Sequence, residues 1–347
     1  MLYMNPELFR LLDTGLVEDV RFVVQKAIEL EHATMPPYLY ALYSLGASNP
    51  AIRTILRSIV QEEMLHMLLA CNLLNAIGGT PSIDTPAFVP TYPTHLPGTV
   101  NTGLVVPLKP FSKDLVETVF MEIEEPETPL NFPVMALNAV NLPPSRTIGQ
   151  FYSRLKDRLQ TLGPAVFTGD LARQVSTPEF DLAEASQKVT DLPSAITAID
   201  YIVQQGEGTS ESPNLNGELA HYYKFAEIAK GRTLIANPNA TPTTPPAERY
   251  IYGGDRITIG PGILPVIENP RSANYPAGSP ARQASDTFNK LYTKILGLLQ
   301  TSFNGTPADL PTAISSMRAD LRPAARQVMS ITLADGRRVG PTFEYLP

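Results

Sequence analysis

The sequence predicts a mainly α protein: a four-helix bundle with long Pro-rich insertions and an extra C-terminal helical pair. Three observations carry this. Long stretches repeat apolar residues at the 3.6-residue period of an amphipathic helix. Two Glu-x-x-His pairs, Glu63-Met-Leu-His66 and Glu218-Leu-Ala-His221, fall on two of those stretches. Proline supplies 34 of the 347 residues, about twice the usual share, and so marks ordered loops between helices.

Residues 16–46 read as the first long helix. Val20, Val24, Ala27, Ile28, Met35, Tyr38, Leu42 and Leu45 form one stripe, with Glu31 at its centre and Glu29 on the opposite face. Pro36 and Pro37 lie inside this helix, where two missing backbone donors predict a kink or local bulge. Gly46 and Ser48-Asn49-Pro50 mark the turn. Residues 51–77 read as the second helix, with Glu63 and His66 at the centre of its stripe and Gly78-Gly79 closing it. Glu31 and Glu63 lie 16 residues either side of Ala47. An antiparallel hairpin therefore sets the two carboxylates level.

Residues 80–144 are rich in Pro and Thr and read as a long crossover. They contain one helical stretch, 111–125, on which Glu122 and Glu124 fall off the apolar stripe. Residues 145–162 form the next helix, with Ser145 as N-cap and Gln150 opposite the stripe. Residues 193–207 form a helix opened by Pro193 at its first position, with Ile196, Ile199, Val203 and Glu207 on one face. Residues 217–231 form another, with Glu218, His221, Tyr222 and Phe225 on one face. Glu207 and Glu218 are nearly equidistant from Ser212-Pro213, which repeats the symmetry of the first hairpin. A Pro/Gly/Asn-rich stretch follows, with a short strand pair around 249–259. Two amphipathic helices, 285–303 and 309–329, and a terminal hairpin turning at Asp335-Gly336 complete the chain. The expected division is residues 1–232, a helical bundle with its crossover insertion, and residues 233–347, a Pro-rich connector plus the C-terminal helical pair packed on the bundle.

A Glu and a His three residues apart share one helix face. Two such pairs, joined by one Glu from each of two further helices, make the ligand set of a di-iron or di-manganese bundle. The candidate metal ligands are Glu31, Glu63, His66, Glu207, Glu218 and His221. Four carboxylates and two imidazoles suit two Fe ions, or Mn, better than zinc, which favours closed tetrahedral N/S sites. The competing roles are a buried carboxylate–imidazole hydrogen bond for Glu63 with His66, a solvated face for Glu218 with His221, and a loop-fixing helix end for Glu207. His32 reads as structural and His95 as exposed. Tyr38, Tyr152 and Tyr222 read as core packing, with the metal site as the alternative role for one of them.

Composition narrows the partners. A net charge of −7, with no run of basic residues longer than a pair, argues against nucleic-acid binding. The single cysteine, Cys71, rules out an intramolecular disulfide and reads as a buried small residue. No segment has the uninterrupted apolar length of a membrane span. The first ten residues lack the features of a signal peptide, so a cytoplasmic location is expected. The expected partner is a small-molecule substrate, with no nucleic acid and no membrane; a homo-oligomer is admitted.

The segment Ala27-Ile-Glu-Leu-Glu-His-Ala-Thr-Met-Pro-Pro-Tyr-Leu-Tyr-Ala-Leu-Tyr-Ser44 resembles the ferritin-like domain family related to iminophenylpyruvate dimer synthase of violacein-type pathways. So do Glu62-Glu-Met-Leu-His66, Thr147-Ile-Gly-Gln-Phe-Tyr152, Gln205-Gly-Glu-Gly208, Glu218-Leu-Ala-His-Tyr-Tyr-Lys-Phe225 and Gly340-Pro-Thr-Phe-Glu-Tyr345. The resemblance runs from about residue 16 to the C-terminus. It implies a ferritin-like four-helix bundle, a metal centre and a place in secondary metabolism; the violacein-pathway relative couples two imines derived from an aromatic amino acid. The resulting expectation is a di-metal oxidoreductase, di-iron by preference, that uses O₂ or peroxide on a small organic substrate such as an amino-acid-derived imine. The alternatives are an iron-handling or peroxide-scavenging protein and a non-catalytic accessory domain of a biosynthetic complex.

Overall fold

The structure is a computed structural model that describes residues 3–99, 104–126, 129–130, 132, 147–209 and 211–347. A short helix, α1 (Pro6–Thr14), leads into the two longest neighbours in sequence, α2 (Val17–Ser44) and α3 (Pro50–Ala76). These pack against each other as the antiparallel hairpin that the periodicity predicts. Pro50 sits in the first turn of α3, where its missing N–H costs nothing.

Helix α2 is buried on every side from Leu30 to Tyr38, because other helices cover both of its faces. Its α-helical hydrogen-bonding pattern continues past Pro36 and Pro37 without a π bulge. Pro37 has no N–H to offer the Ala33 carbonyl one turn back. The Tyr92 hydroxyl, from the crossover, donates to that carbonyl instead, at 2.7 Å.

The crossover carries α4, residues 113–123, in which Lys113–Leu115 and Met121–Ile123 flank a π turn at Val116–Phe120. Helix α5 (Ile148–Leu162) is capped two residues later than expected. Thr147 is its N-cap and Gln150 closes a capping box with it. Ser145, expected in that role, lies outside the described residues. Helix α6 (Leu192–Glu207) is capped by Asp191, which places Pro193 second in the helix rather than first. Asn72 on α3 holds the intervening loop through three bonds, to the Val175 N–H, the Val175 carbonyl and the Gln187 carbonyl.

The next segment departs from expectation. Residues 217–220 are not helical; Asn214–Leu215 (β1) and Glu218–Leu219 (β2) form a two-residue hairpin around Asn216-Gly217. Both turn residues have positive φ, 52° and 94°, as the tight Asn-Gly hairpin turn demands. Helix α7 therefore begins at His221 and ends at Lys230. Strand β3 (Arg232–Ala236) pairs with β4 (Tyr250–Arg256), so the strand expected around 249–259 finds its partner just after α7 rather than beside itself.

The C-terminal pair is α8 (Pro280–Phe303) and α9, residues 310–330, itself interrupted by a π turn at Met317–Leu321. Beyond it, Thr332 bridges Arg338 around a turn at Gly336. One apolar core links the helices, from Met4 to Phe343, and a second, small cluster of Phe132, Ala220 and Tyr223 packs against Leu234, Tyr250 and Tyr252 of the β3–β4 pair. None of the helices among the described residues is long and apolar enough to cross a membrane. Cys71 is buried, which pushes its thiol pKa well up and leaves it unreactive.

His32 lies between α2 and α8, with its ring 4.4 Å from Phe88 and its Nε2 2.6 Å from the Tyr292 hydroxyl. Burial drives its pKa from 6.5 down to about 3. The unfolded chain therefore takes up the proton first. Its contribution to stability is full above pH 6.5 and is lost as pH falls toward 3. Urea titrations across that window should show His32→Gln flattening the acid loss by up to a few kcal/mol. A second test concerns α2. Tyr92→Phe leaves the Ala33 carbonyl without its donor and should lower unfolding free energy by about 1–3 kcal/mol, read from the urea midpoint.

Candidate metal centre

Five buried side chains converge between α2, α3, α4 and α7: Glu31, Glu63, His66, Glu124 and His221. None is more than 8% exposed. Glu63 Oε1 lies 2.8 Å from His221 Nδ1, and Glu124 Oε2 lies 3.5 Å from the same atom. Glu31 Oε2 lies 3.6 Å from His66 Nδ1. The two imidazole rings stack with centroids 5.3 Å apart. Glu63, His66 and His221 each present a donor atom within 4.8 Å of the others.

Each carboxylate has one oxygen occupied by a hydroxyl. The Thr34 hydroxyl shares its one proton between Glu63 Oε2 and the Glu31 carbonyl, each at 2.8 Å, Tyr38 donates to Glu124 Oε1 at 2.5 Å, and Tyr152 donates to Glu31 Oε1. The remaining oxygens are the ones that face the imidazole Nδ1 atoms. The ring Phe120 and the ring Phe225 pack on Tyr38 at 4.7 and 5.2 Å and fix its hydroxyl in place.

The imidazoles are oriented in the same way, from behind. His66 Nε2 lies 2.9 Å from Gln205 Oε1, and His221 Nε2 lies 2.9 Å from Glu62 Oε2. Both partners are acceptors, so in each ring Nε2–H donates and a neutral ring turns an Nδ1 lone pair inward. Glu62 is held in turn by the buried Lys224 ammonium at 2.6 and 2.7 Å. His221 Nδ1 makes no hydrogen bond of acceptable geometry despite its close carboxylates. Once deprotonated, lone pairs and carboxylate oxygens that face one another in this way fit a bound cation.

Electrostatics agree with this geometry. Burial and the neighbouring Glu124 charge push the Glu63 carboxyl up to about 7, against the opposing pull of His221. Burial disfavours a charged His221, but Glu124, Glu62 and Glu63 outweigh it and raise its pKa well above the usual value. Without a metal the cluster must hold protons; with one it can release them.

Of the six sequence candidates, Glu31, Glu63, His66 and His221 contact one another directly here. Glu218 does not. It is exposed on the β1–β2 hairpin, because the Asn216-Gly217 turn replaces the helix that was to carry it. Glu207, the last residue of α6, lies beside the start of α5, where a Cβ on Gly149 would lie 2.7 Å from Glu207 Oε2. Its charge acts on Tyr152, whose hydroxyl holds Glu31.

The residue that sequence reasoning set aside is Glu124. On a uniform α-helix it lies about 180° from Leu115. The π turn at Val116–Phe120 adds one residue and swings it back by about 100°, onto the buried side. Glu62 and the i, i+3 pair His221/Lys224 were also passed over. Tyr38 and Tyr152, read as core, bind carboxylates; Tyr222 does not reach the cluster. His95 is half-buried, with its Nδ1 on the Leu104 carbonyl.

A family model described as ferritin-like matches residues 24–230, and the chain belongs to that family. Dichlorochromopyrrolate synthase of Lentzea aerocolonigenes is 27% identical over 95% of this chain and 36% of that protein. The 2-imino-3-(indol-3-yl)propanoate dimerase of Chromobacterium violaceum is 23% identical over 92% of this chain and 33% of that protein. The chain thus spans about a third of the length of these curated relatives. The crystal structure of a ferritin-like protein from Caulobacter vibrioides matches 99% of both chains with a TM-score of 0.61 and 22% identity; it shares the fold.

The Glu62–Lys224 pair is a structural brace for His221. Glu62→Leu strands a buried ammonium and should cost about 3–5 kcal/mol. The double variant Glu62→Leu/Lys224→Met should recover more than half of that loss in a double-mutant cycle read by urea unfolding.

Proposed function

We propose that this chain is a di-metal oxidoreductase, di-iron by preference and di-manganese as the alternative, that acts on a small organic substrate with O₂ or peroxide. The observation that carries the reading is the pairing of three carboxylates, each with one oxygen held by a hydroxyl and the other facing a back-bonded imidazole. Glu31 with His66 would hold one ion and Glu124 with His221 the other, with Glu63 between them. Such a pair of ions, when bound, supplies the electrons that activate O₂ or peroxide.

The chain's own residues do the rest. Gln205 and Glu62 fix the ring tautomers, Thr34, Tyr38 and Tyr152 fix the carboxylate rotamers, and the surrounding apolar packing excludes water. The name of the Chromobacterium violaceum relative supplies the substrate class: an imine of an aromatic amino acid. A second reading is metal handling or peroxide scavenging without an organic substrate. It draws on the fact that none of the five residues lines the large apolar cavity described below.

Anaerobic reconstitution should load about two metal ions per chain. Glu63→Ala and Glu124→Ala should lose that stoichiometry with helix content unchanged, whereas Glu218→Ala should keep it. Retained metal in Glu124→Ala, together with loss in Glu218→Ala, would contradict the assignment. O₂ uptake that rises only when an aromatic amino-acid imine is added supports the oxidoreductase. Peroxide consumption indifferent to that substrate supports the second reading.

A further inference from the structure

A cavity of about 730 Å³ lies on the far side of α2 and α3 from the Glu/His cluster. It is bounded by those two helices and by α8 and α9. On α2 it runs from His32 to Leu45, and thirteen residues of helix make this about 20 Å. Its walls are aliphatic and thioether-rich: Leu39, Met64, Ile295, Leu299, Ile314 and Met317 are typical. Methionine and leucine side chains adapt to a flexible apolar occupant.

The two ends differ. One is closed by the His32–Tyr292 pair. The other, at the α2–α3 turn, carries Arg53, Arg57, Arg322 and Arg326. These four are close enough to act on one another: burial, then Arg57, Arg322 and Arg326, lower the Arg53 pKa. Among the described residues no carboxylate pairs with any of them, although the chain is net acidic. The neighbouring Arg318 is neutralised by Glu179 at 2.7 Å, and Arg53 donates to the Leu45 carbonyl. Arg57 and Arg326 are exposed, so this end meets solvent. Four like charges gathered without a counter-ion at the mouth of an apolar channel call for an anionic head on an apolar tail. A guanidinium fork pairs with a carboxylate through two parallel hydrogen bonds.

We propose that this cavity binds a long-chain carboxylate, with its headgroup among Arg53, Arg57, Arg322 and Arg326 and its acyl chain running toward His32 and Tyr292. The length of the channel favours an extended chain over a short aromatic acid, which would leave most of the walls without contact. The site is separate from the metal centre and does not depend on metal being bound.

The test is calorimetric titration of the delipidated full chain with palmitate, below its micelle concentration. One equivalent should bind. Arg57→Glu/Arg326→Glu should weaken binding about tenfold or more while leaving the urea midpoint unchanged or raised, since the change relieves repulsion. Met64→Trp, which fills the channel, should abolish binding with the arginines intact. Absence of palmitate binding to the parent chain overturns the proposal, as does equal binding to the arginine variant. Tighter binding of hexadecyl phosphate reassigns the head to a phosphate and overturns the carboxylate. Equal binding of 3-phenylpropionate overturns the acyl chain.

Discussion

Three carboxylates and two imidazoles packed together out of water repel one another and lose their hydration, which costs several kcal/mol per uncompensated charge. The fold tolerates this cluster because every member is also held from outside. Three hydroxyls take one oxygen of each carboxylate, and an amide and a second carboxylate take the outer nitrogens of the rings. What remains is an inward set of donor atoms whose mutual repulsion a cation removes. The same arrangement explains the buried Lys224, which neutralises the outermost carboxylate, Glu62, rather than the cluster itself.

Helix α2 is where this constraint meets the rest of the molecule. Glu31, Thr34 and Tyr38 recur at a spacing that puts them on one face, toward the cluster. His32, Pro36, Leu39 and Tyr43 share the opposite face, toward the apolar cavity and the C-terminal helices. In a helix buried on both faces the two adjacent prolines free the His32 and Ala33 carbonyls from their helical donors, and Ala33 takes one from outside. Tyr92 is that donor. The crossover that delivers Tyr92 also delivers α4 and Glu124, so one insertion supports both the helix and the site.

Four of the five members of the cluster were legible in the sequence. Glu31, Glu63 and His66 stand at the centres of two apolar stripes and at equal distances from their turn, and a regular α-hairpin keeps that arithmetic. His221 was legible for the weaker reason that it follows a Glu at the right spacing, although that Glu belongs to another element. The signal against a helix at Glu218 lies in the sequence as well: Asn216-Gly217 is a strong hairpin turn, and there turn chemistry outweighs helical periodicity. Glu124 was hidden for a different reason. Stripe analysis assumes 3.6 residues per turn, and the π turn before Glu124 breaks that assumption without leaving a composition signal. The fold class and the C-terminal helical pair were legible because long amphipathic periods tolerate errors at their ends. Ser145 and Pro193 show where such errors fall.

The central claim is that five side chains, from four separate segments, bind two ions. Anomalous diffraction at the iron edge, from crystals of the anaerobically reconstituted chain, tests it most directly. Two peaks are expected, one flanked by Glu31 and His66 and the other by Glu124 and His221, with Glu63 between them and Glu218 remote from both. No anomalous peak among these residues, with Glu63 and His221 instead joined by a proton, would contradict it.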